Sequence, residues 1–157
     1  MSFDLEKELM VATKALAETG VSYALCGGLA LAVHGHPRAT KDIDFLVPAG
    51  SVGTGLEALG RAGFTLRAGP IPPGTAGPHP QRRFRATKVS GGARLTVDLL
   101  EVSASDASAW DTRVSLEWKG QPRSVVSRQG LIDMKRLSTR LKDRADVETL
   151  EGSAHED

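Results

Sequence analysis

The chain has 157 residues, of which 40% are hydrophobic, 25% charged and only 4% aromatic, a globular composition that excludes collagenous, disulfide-stapled and wholly disordered chains. Twenty basic residues against 19 acidic ones leave a formal net charge of +1, so general attraction to nucleic acid is unsupported, although a local basic patch stays open. Cys26 is the single cysteine, the longest apolar stretch (Ala24 to Val33) is far short of a bilayer span, and the start Met1-Ser2-Phe3-Asp4-Leu5-Glu6 lacks the basic and apolar regions of a signal peptide, which together predict a soluble cytoplasmic protein with no internal disulfide and no membrane association.

Asp4 to Glu18 reads as a helix, because Leu5, Leu9, Ala12 and Leu16 recur at spacings of three and four and Gly20 is a natural stop. Val21 to Cys26 reads as a short buried strand, broken by Gly27-Gly28, which opens a second helix over Leu29 to His34 that Gly35 and Pro37 end. Asp42 to Val47 is the clearest strand: Ile43, Phe45 and Val47 point one way, Asp42, Asp44 and Leu46 the other. Val52 to Ala62 predicts a helix with Leu56 and Leu59 inward, and Phe64-Thr65-Leu66 a short strand. Ala68 to Pro80 is a Pro/Gly loop with little apolar anchor, expected to be poorly packed and mobile, as a functional loop or a disordered insertion.

Phe84 to Val89 and Ala93 to Leu100 predict a strand pair joined by Ser90-Gly91-Gly92. Arg113 to Trp118 alternates again and turns at Lys119 to Pro122 into Arg123 to Val126. Helices over about Gln129 to Leu137 and Lys142 to Leu150 finish the fold. The expectation is one α/β (α+β) domain over residues 1–152, a mixed β-sheet with helices packed on it, and a frayed tail at 153–157.

The strongest chemical signal is Asp42-Ile43-Asp44. Residues i and i+2 of a strand share a face, so the two carboxylates converge, and two adjacent anions need a cation, a basic side chain or water between them. Carboxylate oxygens suit Mg²⁺, although a solvated strand face also produces Asp-x-Asp. A third acid, Asp98, interrupts the apolar run Leu95 to Leu100. It is costly there unless it ligates something or pairs with a nearby arginine. Three such acids on neighbouring strands could hold two divalent ions, the usual machinery of in-line phosphoryl or nucleotidyl transfer. Gly27-Gly28, between a strand and a helix, allows close backbone approach to a phosphate or is simply a turn. Arg38 and Lys41 lie just before Asp42 and either neutralise phosphate or carboxylate charge or are solvated loop cations.

The run from Cys26 to Val47, with its Gly-Gly, short helix and Asp-x-Asp, resembles the opening of polymerase-beta-like nucleotidyltransferases, closest to bacterial minimal nucleotidyltransferases and the toxin-type enzymes of abortive-infection systems. Arg140 to Val147 looks like the Lys-Asp-x-x-Asp helix of the same proteins, so the resemblance spans about Tyr23 to Leu150. It implies a nucleotidyltransferase-like fold and transfer of a nucleoside monophosphate from an NTP to a hydroxyl of a protein, RNA or small molecule, in a toxin–antitoxin or phage-defence setting with a cognate antitoxin as partner. It implies that Gly27 and Gly28 cradle the triphosphate and that Asp42 and Asp44 bind Mg²⁺. Asp98 would bridge a metal or help deprotonate the acceptor hydroxyl, and Lys142 would approach the phosphates or the acids, with Asp143 and Asp146 holding its helix. One departure is Leu29, where many members place Ser or Thr and so gain a hydroxyl contact to phosphate. Leu29 and the small size favour the alternative of a non-catalytic nucleotide-binding or protein-interaction module, which the intact acid trio opposes.

Other residues carry less. His34 and His36 match no zinc spacing and read as turn residues. Gln81 to Arg85 is the densest basic cluster, able to meet an RNA backbone or a nucleotide tail, or to discourage edge pairing as a solvated strand edge. Cys26 reads as a small hydrophobe, Ser105 and Ser108 lack a histidine partner, and Met134, Leu137 and Leu141 read as core.

Overall fold

The computed structural model describes residues 3–37, 39–71, 82–136 and 141–154, with residues 141, 142, 153 and 154 given by their backbone alone. In chain order the elements are α1 (Leu5–Glu18), β1 (Ala24–Cys26), α2 (Gly27–Val33), β2 (Asp42–Val47), α3 (Val52–Arg61), β3 (Leu66–Ile71), β4 (Arg83–Ser90), β5 (Ala93–Glu101), α4 (Ala107–Asp111), β6 (Val114–Trp118), β7 (Gln121–Val125), α5 (Arg128–Arg136) and α6 (Leu141–Ala154). Asp4 caps α1 by accepting from the Lys7 amide at 3.2 Å, and the chain leaves the helix through a Val21 N–H to Leu16 carbonyl bond of 2.9 Å.

The strands form one seven-stranded sheet in the order β3-β4-β5-β2-β1-β7-β6. β2 runs parallel to β5 and β1 parallel to β7, while the other neighbours are antiparallel, so the sheet is mixed as expected. Alternation along the central strands separates two faces. Ile43, Phe45, Val97 and Leu99 are fully buried on one face. There α3 comes close enough that a Cβ on Gly55 would lie 2.9 Å from Leu99 Cδ1 and 3.4 Å from Leu16 Cδ2. Asp42, Asp44 and Asp98 belong to the other face.

Several expectations shift. The second helix begins at Gly27 itself rather than at Leu29, and the first strand starts at Ala24 rather than Val21. Phe64 is not in a strand: its N–H closes α3 on the Leu59 carbonyl at 2.9 Å and its ring fills the core, so the strand begins only at Leu66. The Pro/Gly segment is not loop throughout, because Ala68 to Ile71 belong to β3, where Ala68 pairs with Arg85 and Ile71 with Arg83; the expectation of a mobile loop for its remainder, from residue 72 onward, lies outside the described residues. The basic cluster is not a sheet edge, since β4 lies between β3 and β5. A short helix, α4, was not expected; a 3-10 turn over Ala104–Asp106, tied by a Ser103 hydroxyl donating to Asp106, leads into it. Met134 packs partly buried against the core, whereas Leu137 and the side chain of Leu141 lie outside the described residues, as does the tail after residue 154.

The core makes a quantitative expectation. Phe45 is fully buried and meets Tyr23 edge-on at 5.3 Å between ring centroids. Phe45→Ala is expected to cost roughly 3–5 kcal/mol, read as a lower urea midpoint. Leu66→Ala, at a position 52% exposed, is expected to change stability by less than about 0.5 kcal/mol.

Candidate functional site

The acids come together through strand register. β2 and β5 are parallel neighbours in which Asp44 stands opposite Asp98 and Asp42 opposite Thr96, so all three carboxylates are on one face. Asp42 is exposed, Asp44 largely buried and Asp98 almost wholly so, its side chain 2% exposed.

β4 supplies the compensating charge. Arg83 and Arg85 are two residues apart and share the acid face, and Arg85 stands directly across from Asp98. Arg85 donates through Nε to Asp98 Oδ1 at 2.9 Å and through Nη2 to Oδ2 at 3.1 Å, while Arg83 Nη1 donates to Oδ2 at 2.6 Å. The Arg85 contact is the bidentate fork that suits a guanidinium to a carboxylate. Arg83 Nη1 also lies 3.5 Å from Asp44 Oδ1, within ion-pair range but without hydrogen-bond geometry, so that oxygen is buried with no hydrogen bond. Burial, above all, pushes the Asp44 carboxyl up to about 6; Asp98 and Asp42 add to the rise, and Arg83 and Arg85 oppose it.

The start of α2 is fitted to this acid. Gly27 has φ +68°, and a Cβ there would sit 2.3 Å from Asp44 Oδ2, so both its backbone conformation and its missing side chain are required. A Cβ on Gly28 would lie 3.1 Å from Thr40 Oγ1. Cys26, the N-cap of α2, makes no side-chain cap bond. It pairs with Asp44 across β1 and β2, and burial first, then Asp44, pushes its thiol well above the ordinary range, so it stays a protonated small hydrophobe.

Of the other expected site residues, Lys41 is exposed immediately before β2, Arg38 lies outside the described residues, and Lys142 falls in the first turn of α6 with its side chain outside them. Asp143 and Asp146 do hold their helix: buried Lys135 of α5 donates to them at 3.3 and 3.0 Å. Sequence reasoning missed Lys135; it named Arg83 and Arg85 only as part of a basic cluster, and the arginine partner it allowed for Asp98 is this pair. His34 behaves as a turn residue, its Nε2 lying 2.8 Å from the Val126 carbonyl oxygen.

Among the described residues no three His, Cys, Asp or Glu side chains have the arrangement of a metal site. The backbone gathers the acid trio on one face, and arginine holds both oxygens of Asp98 there. Carboxylate oxygens are the right donors for a hard divalent cation, and the orphaned Asp44 Oδ1, next to exposed Asp42, fits one. Among the described residues no helix is long and apolar enough to cross a membrane.

Residues 8–119 match the family described as "Nucleotidyl transferase AbiEii toxin, Type IV TA system". Among curated proteins there is no match. Solved structures share the fold. A Thermotoga maritima protein described as a nucleotidyltransferase, TM1012, is 15% identical with a TM-score of 0.55 over 98% of this chain and 93% of its own. ANT(2")-Ia in complex with adenylyl-2"-tobramycin is 14% identical with a TM-score of 0.63, over 94% of this chain and 87% of its own. The lincosamide antibiotic adenylyltransferase LnuA, with lincomycin bound, is 18% identical with a TM-score of 0.60, over 93% and 96%.

The raised Asp44 value fixes the sign of a pH effect. Between the ordinary carboxyl value of 3.8 and about 6 the folded chain binds a proton that the unfolded chain has released, so this group's contribution to stability is present at low pH and is lost as pH rises through that window. Asp44→Asn carries no such loss. The variant is expected to match the wild type near pH 4 and to exceed it by about 2 kcal/mol at pH 7, measured by urea unfolding across that range. A stability gap independent of pH would contradict the assignment.

Proposed function

The chain belongs to the nucleotidyl transferase AbiEii toxin family of type IV toxin–antitoxin systems, and from that premise we propose that it transfers a nucleoside monophosphate from an NTP to a hydroxyl acceptor with Asp42 and Asp44 as the ligands of Mg²⁺. The observation that carries this reading is the Asp42-x-Asp44 pair on β2, in register with Asp98 and packed against the glycine start of α2. Bound Mg²⁺ would supply charge neutralisation at the triphosphate and at the pyrophosphate leaving group.

The chain's own residues divide the remaining work. Gly27 and Gly28 let the triphosphate approach the backbone at the start of α2, and Arg38, Lys41 and Lys142 contribute positive charge to its oxygens. The acceptor oxygen forms its bond to the α-phosphorus as the bond to the β-bridging oxygen breaks, and pyrophosphate departs. The acceptor's proton passes to a carboxylate on this face, with Asp98 the proposed recipient. Lys135 fixes α6 through Asp143 and Asp146. The single domain of residues 1–152 would carry this chemistry in the cytoplasm, with a cognate antitoxin as partner and a protein, RNA or small-molecule acceptor. ANT(2")-Ia and LnuA, named for small-molecule antibiotics, supply precedent for the last of these on this fold.

A second reading, a nucleotide-binding or protein-interaction module without turnover, rests on Leu29, which is 2% exposed and part of the core, so no hydroxyl is offered at that position.

Transfer from α-labelled NTPs, measured with each of the four bases, separates the two. Asp42→Asn and Asp44→Asn are each expected to lower transfer on the order of 100-fold or more, with the fold intact by circular dichroism. Thermal stabilisation of the wild type by Mg²⁺ with an NTP, without labelling of any acceptor, would favour the second reading. No stabilisation by any NTP would overturn the transferase and the nucleotide-binding module alike, leaving only a protein-interaction module.

A further inference from the structure

Arg83 and Arg85 are cations placed on a face that the proposed function assigns to another cation. The carboxylate they hold is buried, its side chain 2% exposed, whereas the Arg83 and Arg85 side chains are 36% and 42% exposed. Asp98 takes two N–H donors of Arg85 and one of Arg83. A guanidinium has five, so each can engage a second anion from the solvent side.

The three carboxylates and two guanidiniums leave one uncompensated negative charge among them, and it falls on the Asp44 side, where one buried oxygen has no hydrogen bond. A divalent cation arriving alone meets two guanidiniums, and it cannot use Asp98 without stripping away three charge-assisted bonds. A triphosphate arriving alone meets three carboxylates. A metal–nucleotide complex brings both signs at once. Carboxylates can pass to the metal while guanidiniums pass to phosphate oxygens, and no buried charge is left unpaired during the exchange.

We propose that Arg83 and Arg85 are exchangeable counter-ions, holding Asp98 and Asp44 until a metal–nucleotide complex arrives and then binding its phosphate oxygens, so that the site takes metal and nucleotide together. The proposal rests on the nucleotidyltransferase reading above and adds to it two triphosphate-binding residues and a coupling between the ligands. Coupling of this kind is reciprocal: nucleotide tightens metal as much as metal tightens nucleotide. Direct metal–phosphate contact couples the two ligands in any case; a fixed structural ion pair would add nothing to it, and substituting Arg85 would not move metal and nucleotide affinity in opposite directions.

Mn²⁺ is the probe, titrated by electron paramagnetic resonance with and without a non-hydrolysable NTP analogue, while nucleotide binding in Mg²⁺ is followed by calorimetry. In the wild type, Mn²⁺ alone should bind weakly and the analogue should tighten it by about tenfold or more. Arg85→Ala should tighten Mn²⁺ alone by about tenfold and weaken nucleotide by about as much, opposite signs from one substitution. Arg85→Lys, which keeps the charge but cannot make two parallel bonds, should shift both in the same directions by less, and it carries the test if Arg85→Ala does not fold. Mn²⁺ binding no tighter in the folded variants, or nucleotide binding undiminished, overturns the exchange while leaving the nucleotidyltransferase reading in place. A wild type that binds no metal–nucleotide complex overturns the reading on which the exchange depends.

Discussion

Asp44 and Asp98 stand side by side on parallel strands, on a face largely withdrawn from water, and that juxtaposition must be compensated. Burial, above all, raises the proton affinity of Asp44, and the neighbouring Asp98 carboxylate adds to the rise. Compensation is unequal. Asp98 receives three charge-assisted hydrogen bonds from Arg83 and Arg85, whereas Asp44 keeps a buried oxygen with none and titrates near 6. A fold that needed only stability could fill these positions with apolar side chains at similar or lower free energy. Retaining an imperfectly compensated pair is what a site built to accept a cation requires.

The surrounding structure follows from this pair. Gly27 adopts a left-handed conformation and lacks a Cβ because the Asp44 carboxylate fills that space. Cys26, next in the row, remains a buried neutral thiol. On the other side of the row, β4 is an interior strand, so its arginines are aimed at the acids by the sheet rather than by a flexible loop. α6 is held by the Lys135 contacts to Asp143 and Asp146, the same kind of compensation applied to a helix pair. The apolar half, with Phe45 and Leu99 packed under α1 and α3, supplies the rigidity that keeps these registers in place.

Much of this was legible in the sequence because it is local. The period of two in Asp42 to Val47 sets which face each acid takes, Asp4 and the spacing after it set α1, and Gly-Gly sets the hairpin. The Arg85–Asp98 contact was legible too but was lost through a one-residue boundary. The turn is Gly91-Gly92 alone, so Ser90 pairs with Ala93, and five residues back from the one and five forward from the other are Arg85 and Asp98. Arg85 is therefore revealed by counting once the loop is given two residues rather than three, whereas Arg83 falls opposite Leu100 and reaches the acids only by sharing Arg85's face. The parallel register of β2 against β5 was not legible, because no turn links those strands and only the packed sheet sets it. Lys135 was hidden for a related reason: α5 reads as a polar helix, and the acids that bury its lysine lie on the next helix. The short α4 carries no periodicity long enough to register.

The account's central claim is that this face is a metal–nucleotide site whose resting charges are exchanged on binding. The most direct measurement is a crystal structure of the protein grown with Mn²⁺ and a non-hydrolysable NTP analogue, with the metal located by its anomalous scattering. The account predicts a Mn²⁺ peak bridged by the carboxylates of Asp42 and Asp44, the triphosphate at the start of α2, and the Arg83 and Arg85 guanidiniums on phosphate oxygens. A metal bound elsewhere, or an Arg85–Asp98 pair unchanged beneath an occupied nucleotide, would contradict it.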